Sequence, residues 1–149
     1  MKSIFLFALL SFAVTACDRD DGPPLEINDV TVFAPLPGTR VSVAYMSIRN
    51  NTQADMVIGS IRSPQFASVN MHETRIVDGI SKMTKVETVR IPARSTLKLA
   101  EGGLHLMLTK PCRSMAPNQS VKLEFEYDAD GLLIVSTMTR SRRVHESDH

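Results

Sequence analysis

Alternation constrains this chain more than any other feature. From Leu25 onward, apolar and polar residues tend to exchange places at every second position. No window of helical length sustains a 3.6-residue period. The clearest stretch is Val121-Lys122-Leu123-Glu124-Phe125-Glu126-Tyr127, apolar on odd positions and charged on even ones. Successive strand residues point to opposite faces, so this segment has one side for a core and one for water. Similar short runs cover Glu26–Phe33, Val41–Arg49, Met56–Ile61, Ser68–Thr74, Thr84–Ile91, Thr96–Leu99, Leu104–Thr109 and Leu132–Thr139. Turn signals separate most of them, among them Pro35 to Gly38, Asn50-Asn51, Asp78-Gly79, Gly102-Gly103 and Asp130-Gly131. The pattern predicts an all-β domain, an antiparallel sandwich or barrel with at most one short helix.

The ends of the chain read differently. Lys2 followed by the apolar run Ile4 to Val14 has the form of a signal peptide over residues 1–16, too short for an ordinary membrane-spanning helix. The run closes on Val14-Thr15-Ala16-Cys17, which resembles a bacterial lipobox. That resemblance implies lipid on Cys17 as the new N-terminus, an anchor that needs no spanning helix. Asp18 is the residue that in enteric bacteria favours retention at the inner membrane. Residues 17–24, with Gly22 and two prolines, then form a tether, residues 25–139 the β domain, and residues 140–149 a charged tail carrying His145 and His149. Cleavage removes one basic residue, Lys2, of the 17 Lys and Arg, leaving them equal to the 16 Asp and Glu. A mature charge near zero gives no electrostatic reason to expect nucleic acid as a partner. Once Cys17 is lipidated only Cys112 remains, so no intramolecular disulfide is available and the core must hold the fold unaided.

The parity test also singles out residues that carry chemistry. In Leu104-His105-Leu106-Met107-Leu108 the three leucines take one face and His105 and Met107 share the other. Two residues apart on a strand, they emerge side by side, roughly 6.5–7 Å apart at Cα. In Val69-Asn70-Met71-His72 the apolar pair shares a parity, so His72 projects with Asn70 from the other face and Met71 packs in the core. A single exposed His or Met is usually plain surface. Together, imidazole and thioether make a soft ligand set that suits Cu(I) and survives where thiolates are oxidised. Mg²⁺ and Ca²⁺ prefer oxygen ligands, and thioethers count against zinc.

The spacing of these residues reads His72-x10-Met83-x21-His105-x-Met107. It resembles, gap for gap, the signature of the periplasmic copper chaperones called the PCuAC family. Val43-Ala44-Tyr45-Met46-Ser47-Ile48-Arg49-Asn50 with Ala54-Asp55 is similar to that family's early segment, and Gly102 to Leu108 to its most recognisable stretch. Leu99-Ala100-Glu101 departs from it, standing where the family commonly has a Lys-Pro-type turn. The resemblance implies a cupredoxin-like Greek-key fold with His72, Met83, His105 and Met107 as ligands of one Cu(I) in a partly exposed site. It also implies delivery of copper to an acceptor such as the copper centre of cytochrome c oxidase, in concert with Sco-type proteins. Met83 follows the Asp78-Gly79 turn, so a loop is expected to swing its sulfur over the strand pair.

Other readings are weaker. A blue-copper electron carrier needs a Cys thiolate and two His, and Cys112 is followed by Met115 with no His between. Cys112 itself is expected to be buried and outside the site. Copper sequestration without a dedicated acceptor would use the same ligands. No nucleophile elbow, phosphate loop or well-spaced acid pair suggests an enzyme. His145 and His149 loosely resemble the metal-binding tails of some family members, but a solvated charged tail is the plainer reading.

Overall fold

The computed structural model describes residues 22–142. The signal peptide, Cys17, Asp18, most of the tether, and the tail with His145 and His149 lie outside the described residues. Ten strands make up the fold: β1 (Leu25–Phe33), β2 (Val41–Asn50), β3 (Met56–Arg62), β4 (Phe66–Val77), β5 (Ile80–Val86), β6 (Val89–Ile91), β7 (Thr96–Leu99), β8 (Leu104–Pro111), β9 (Ser120–Tyr127) and β10 (Gly131–Arg140). There is no helix among the described residues. The expectation of a cupredoxin-like all-β domain holds.

The strands run in the order β5-β4-β8-β2-β1-β10-β9-β3-β6, with β7 also pairing β2. The path folds into two layers. One carries β5, β4, β8, β2, β7 and β1; the other carries β10, β9, β3 and β6. They are stitched where β1 meets β10 at Val32–Thr139 and Phe33–Arg140. That stitch is parallel, so the sheet is mixed rather than wholly antiparallel. It joins chain segments from opposite ends of the domain, which no local pattern in the sequence records.

Alternation sets the core between the layers. On β9, Val121, Leu123 and Phe125 are fully buried while Lys122 faces out. They meet Ala44, Met46 and Ile48 of β2 and Leu106 and Leu108 of β8 in one apolar cluster. Fully burying each such large side chain contributes about 1.5–3 kcal/mol.

One expected strand divides. The run Thr84–Ile91 holds the end of β5, which pairs β4 in the first layer, and all of β6, which pairs β3 in the second. Glu87 and Thr88 make the crossing. The sequence shows continuous β character there because both strands are extended; the change of layer leaves no local signal. Asn50 locks the adjoining corner. Its buried amide donates to the carbonyls of Ala54, Ile91 and Pro92, and its Oδ1 accepts from the Thr52 N–H and hydroxyl. Asp55 accepts from the Ala93 N–H and pairs with Arg90. The Asn50 and Ala54-Asp55 residues of the resemblance are thus the clasp that ends β2.

Candidate metal centre

Core packing decides which way β8 and β4 face. Leu106 and Leu108 are fully buried, as are Val69 and Met71 on β4 to within a tenth of their surface. Their neighbours in sequence therefore leave the opposite face of the sheet. The ladder pairs His72 with His105 and Asn70 with Met107. On the other side of β4, Met83 pairs with Thr74 and Lys85 with His72. Thr74 shares the His72 face, so Met83 does too. The structure thus brings all four sequence-expected residues onto one face of three adjacent strands.

Their arrangement is a diagonal. The two histidines sit directly across from each other at its centre. Met107 lies two residues toward the start of β4, and Met83 two residues toward its end, each a diagonal neighbour of His72. Such neighbours are about 7–8 Å apart at Cα, within reach of long flexible side chains. The imidazole rings stand 6.1 Å apart between centroids and 25° from parallel.

The rings are held differently. His105 Nδ1 lies 3.0 Å from the Gly103 carbonyl oxygen. A carbonyl only accepts, so Nδ1 carries the proton and Nε2 keeps its lone pair for a ligand. The same carbonyl accepts the Thr74 N–H at 3.1 Å, tying the β7–β8 turn to β4. That turn is tight. The Ala100 N–H donates to the Leu104 carbonyl, the Gly103 N–H donates to Ala100, and Gly102 takes a positive φ of 77°. Leu99-Ala100-Glu101, the departure from the family pattern, therefore leaves the His105 end firmly built. His72 Nδ1 is buried with no hydrogen-bond partner. A buried nitrogen left unsatisfied costs roughly 1–3 kcal/mol, which a bound cation would relieve.

Exposure is graded across the site. His105 is only 5% exposed: it turns away from the core, as its parity predicts, yet is covered. His72 and Met107 are half-buried. Met83 is 50% exposed. Met83 also sits within edge strand β5 rather than in a loop, because the Asp78-Gly79 turn is a two-residue hairpin closing Val77 on Ile80. Both turn residues have positive φ, 54° and 75°, the primed geometry that matches strand twist. A polar wall stands on β2. Tyr45 lies on the same face as Val43, the partner of Met107, and packs edge-on against Phe33. Arg142 donates to the Tyr45 hydroxyl and to Glu101. Burial pushes the Tyr45 phenol above its ordinary value despite the opposing charge of Arg142. This cluster was not singled out from sequence, since its members are dispersed along the chain.

Cys112 departs from expectation. It is exposed rather than buried, lying just past the end of β8 beside the Pro64 carbonyl. Seven residues beyond His105, it is on the order of 23 Å along the chain from the histidine pair. A thiolate–imidazole site of the blue-copper kind is not built here. Met71 is in the core, as its parity predicts. Among the described residues no three His, Cys, Asp or Glu side chains converge on a metal position.

Solved structures of similar architecture include copper-bound proteins. The chain resembles the copper-bound PCuAC domain from PmoF2 with a TM-score of 0.66 and 18% identity, over 80% of this chain and 95% of that one. It resembles the Cu(I) form of DR1885 from Deinococcus radiodurans with a TM-score of 0.66 and 25% identity, over 87% and 86% of the two chains. Among curated proteins it is 28% identical over 95 residues to "Putative lipoprotein Lxx21020" of Leifsonia xyli subsp. xyli, a match that covers 63% of this chain. The matched region spans 57% of that relative's length. A family model described as "Putative lipoprotein LpqE-like" matches residues 25–138, nearly the whole strand-forming region, and the chain belongs to this LpqE-like family.

Proposed function

We propose that this protein binds one Cu(I) ion through His72, Met83, His105 and Met107 and hands it to an acceptor protein outside the cytoplasm. The observation that carries this reading is the register of three strands, which sets two histidines face to face and a methionine on each flank. The Cu(I)-bound form of DR1885 supports the choice of metal. Copper here is cargo, and the graded exposure fits that role. His105, nearly buried and oriented by Gly103, anchors the ion; Met83, half in water, is the ligand an incoming donor can displace first. A sealed shell would trap the ion instead.

The acceptor fits a copper centre such as that of cytochrome c oxidase, with Sco-type proteins as companions. Lipid on Cys17 would hold the domain at the outer face of a membrane, with Asp18 favouring the inner membrane in bacteria that have two. The lipoprotein names of the family and of the Leifsonia relative support the anchor. No helix of the described residues is long and apolar enough to cross a membrane.

Competition for Cu(I) against a chromogenic chelator tests the site. Wild type should hold one equivalent, and a Met83→Ala, Met107→Ala double variant should lose at least about tenfold in affinity, on the order of 1.4 kcal/mol. One equivalent held with undiminished affinity by the double variant contradicts the assignment.

A further inference from the structure

The end of the domain away from the N-terminal entry carries a cleft that the proposed copper site does not use. β1 pairs its first residue, Leu25, with Asn50 and its last, Phe33, with Val43. The chain therefore enters at one end of the β1–β2 pair and the loop 34–40 closes the other, roughly 26 Å away at about 3.3 Å per residue. Between that loop and the chain that follows β8 lies a cleft of about 420 Å³. Pro35, Leu36, Pro37 and Met115 give it apolar walls, and Arg40 and Arg113 line it with charge. Hydrogen bonds fix its frame. The Thr39 N–H and hydroxyl both donate to the Leu36 carbonyl across Gly38, whose φ is 78°. The Lys110 N–H donates to the Arg40 carbonyl, the Cys112 N–H to the Gln65 carbonyl, and the Arg40 guanidinium to the Pro111 carbonyl.

The charge at this end has one sign. Arg40, Lys110, Arg113 and Arg140 are all exposed there, Arg140 through its pairing with Phe33. No Asp or Glu occurs in residues 30–54, 102–123 or 131–142. None of the four cations has an ion-pair partner among the described residues. Arg40 commits one N–H to Pro111 and keeps the rest of its planar fork for a carboxylate. We propose that this cleft binds an extended, acidic segment of a partner protein, with an apolar side chain between the prolines and carboxylates against Arg40 and Arg113. The proposal goes beyond the copper reading and does not depend on it. A small inorganic anion would leave the apolar walls bare. A bilayer is disfavoured by position, since residues 17–24 join the domain at the opposite end. The chain's own C-terminal segment is directed elsewhere: Arg142, the last described residue, lies over the Phe33 ring and pairs with Glu101 in the β7–β8 turn. Met107 is four residues, about 13 Å, from Pro111 along β8, so a protein held in the cleft also stands near the proposed metal site.

Peptide titration of the isotope-labelled mature chain, carrying Cys17→Ser so that no lipid is attached, tests the cleft by amide chemical shifts. The probes are acetyl-Glu-Asp-Leu-Asp-Glu-amide and its neutral analogue acetyl-Gln-Asn-Leu-Asn-Gln-amide. The acidic peptide should bind saturably, with shifts concentrated at residues 36–40 and 110–115, and more weakly as salt rises. The neutral analogue should bind at least about tenfold more weakly, as should the acidic peptide to an Arg40→Gln, Arg113→Gln variant. The variant's spectrum away from the cleft reports that it folds, and the two peptides on wild type decide the matter if it does not. Equal binding of both peptides, or no saturable shift at those residues, overturns the inference. Inorganic phosphate bound as tightly as the acidic peptide makes this a small-anion site, and the inference fails. It fails equally if binding appears only after residues 143–149 are removed, which assigns the cleft to the chain's own tail. Loss of binding to phosphatidylglycerol-containing vesicles in the variant, with peptide binding intact, assigns the cleft to lipid and also sinks the proposal.

Discussion

At the scale of single residues, the four proposed ligands are unequal, and the inequality is measurable. Met107 is half-buried on a strand pinned by Leu106 and Leu108, whereas Met83 is half in water on an edge. A thioether that is already fixed loses less freedom on binding metal, so it contributes more. Met107→Ala should therefore weaken Cu(I) binding several-fold more than Met83→Ala in the same chelator assay. The reverse order would remove the graded-release argument. His105, Met107, His72 and Met71 were placed on their faces by parity alone, since each sits within a strand whose leucines or valines declare the core side. The burial of His105 was not legible. It depends on the turn at Gly103 and on the strand paired beside it, neither of which alternation specifies. The exposure of Cys112 is not legible for a related reason: it lies past the last core residue of β8, where alternation stops informing.

At the scale of elements, the hairpin is the part that sequence reasoning caught only by halves. Asp78-Gly79 is legible as a turn, but the sequence pattern starts the following strand at Thr84 and the structure starts it at Ile80. Ile80 to Val86 is exposed almost throughout and alternates poorly, as an edge strand with little core to cover does. Its strand character comes from pairing with β4. The turn that forms this pairing is sensitive to its glycine. At Gly79, with φ of 75°, an added Cβ meets nothing within 4 Å, so the cost of a side chain is conformational alone. Gly79→Ala should lower stability by about 1 kcal/mol in denaturant unfolding. It should also loosen Met83 and weaken Cu(I) binding modestly. No loss in either measurement would mean that the turn does not fix the β5 register.

At the scale of the whole molecule, period-two alternation sufficed for the fold class, because a two-layer β domain buries alternate residues wherever a strand crosses it. The parallel β1–β10 stitch and the crossing at Glu87-Thr88 were beyond it. Both depend on which distant strands meet, a choice made by total core packing rather than by any local run. The three-strand register behind the site lay equally beyond it, and the regular spacing of His72, Met83, His105 and Met107 is the trace that this register leaves in the chain. The site is thus a product of the whole fold: β8 and β4 are aimed by the core, and β5 is carried in by a hairpin. X-ray absorption of the Cu(I)-loaded protein in a Cys112→Ser background tests this account most directly. It predicts a shell of two imidazole nitrogens and two sulfurs, with the sulfur count falling by one in Met107→Ala. A shell with no sulfur, or one unchanged by that substitution, would contradict it.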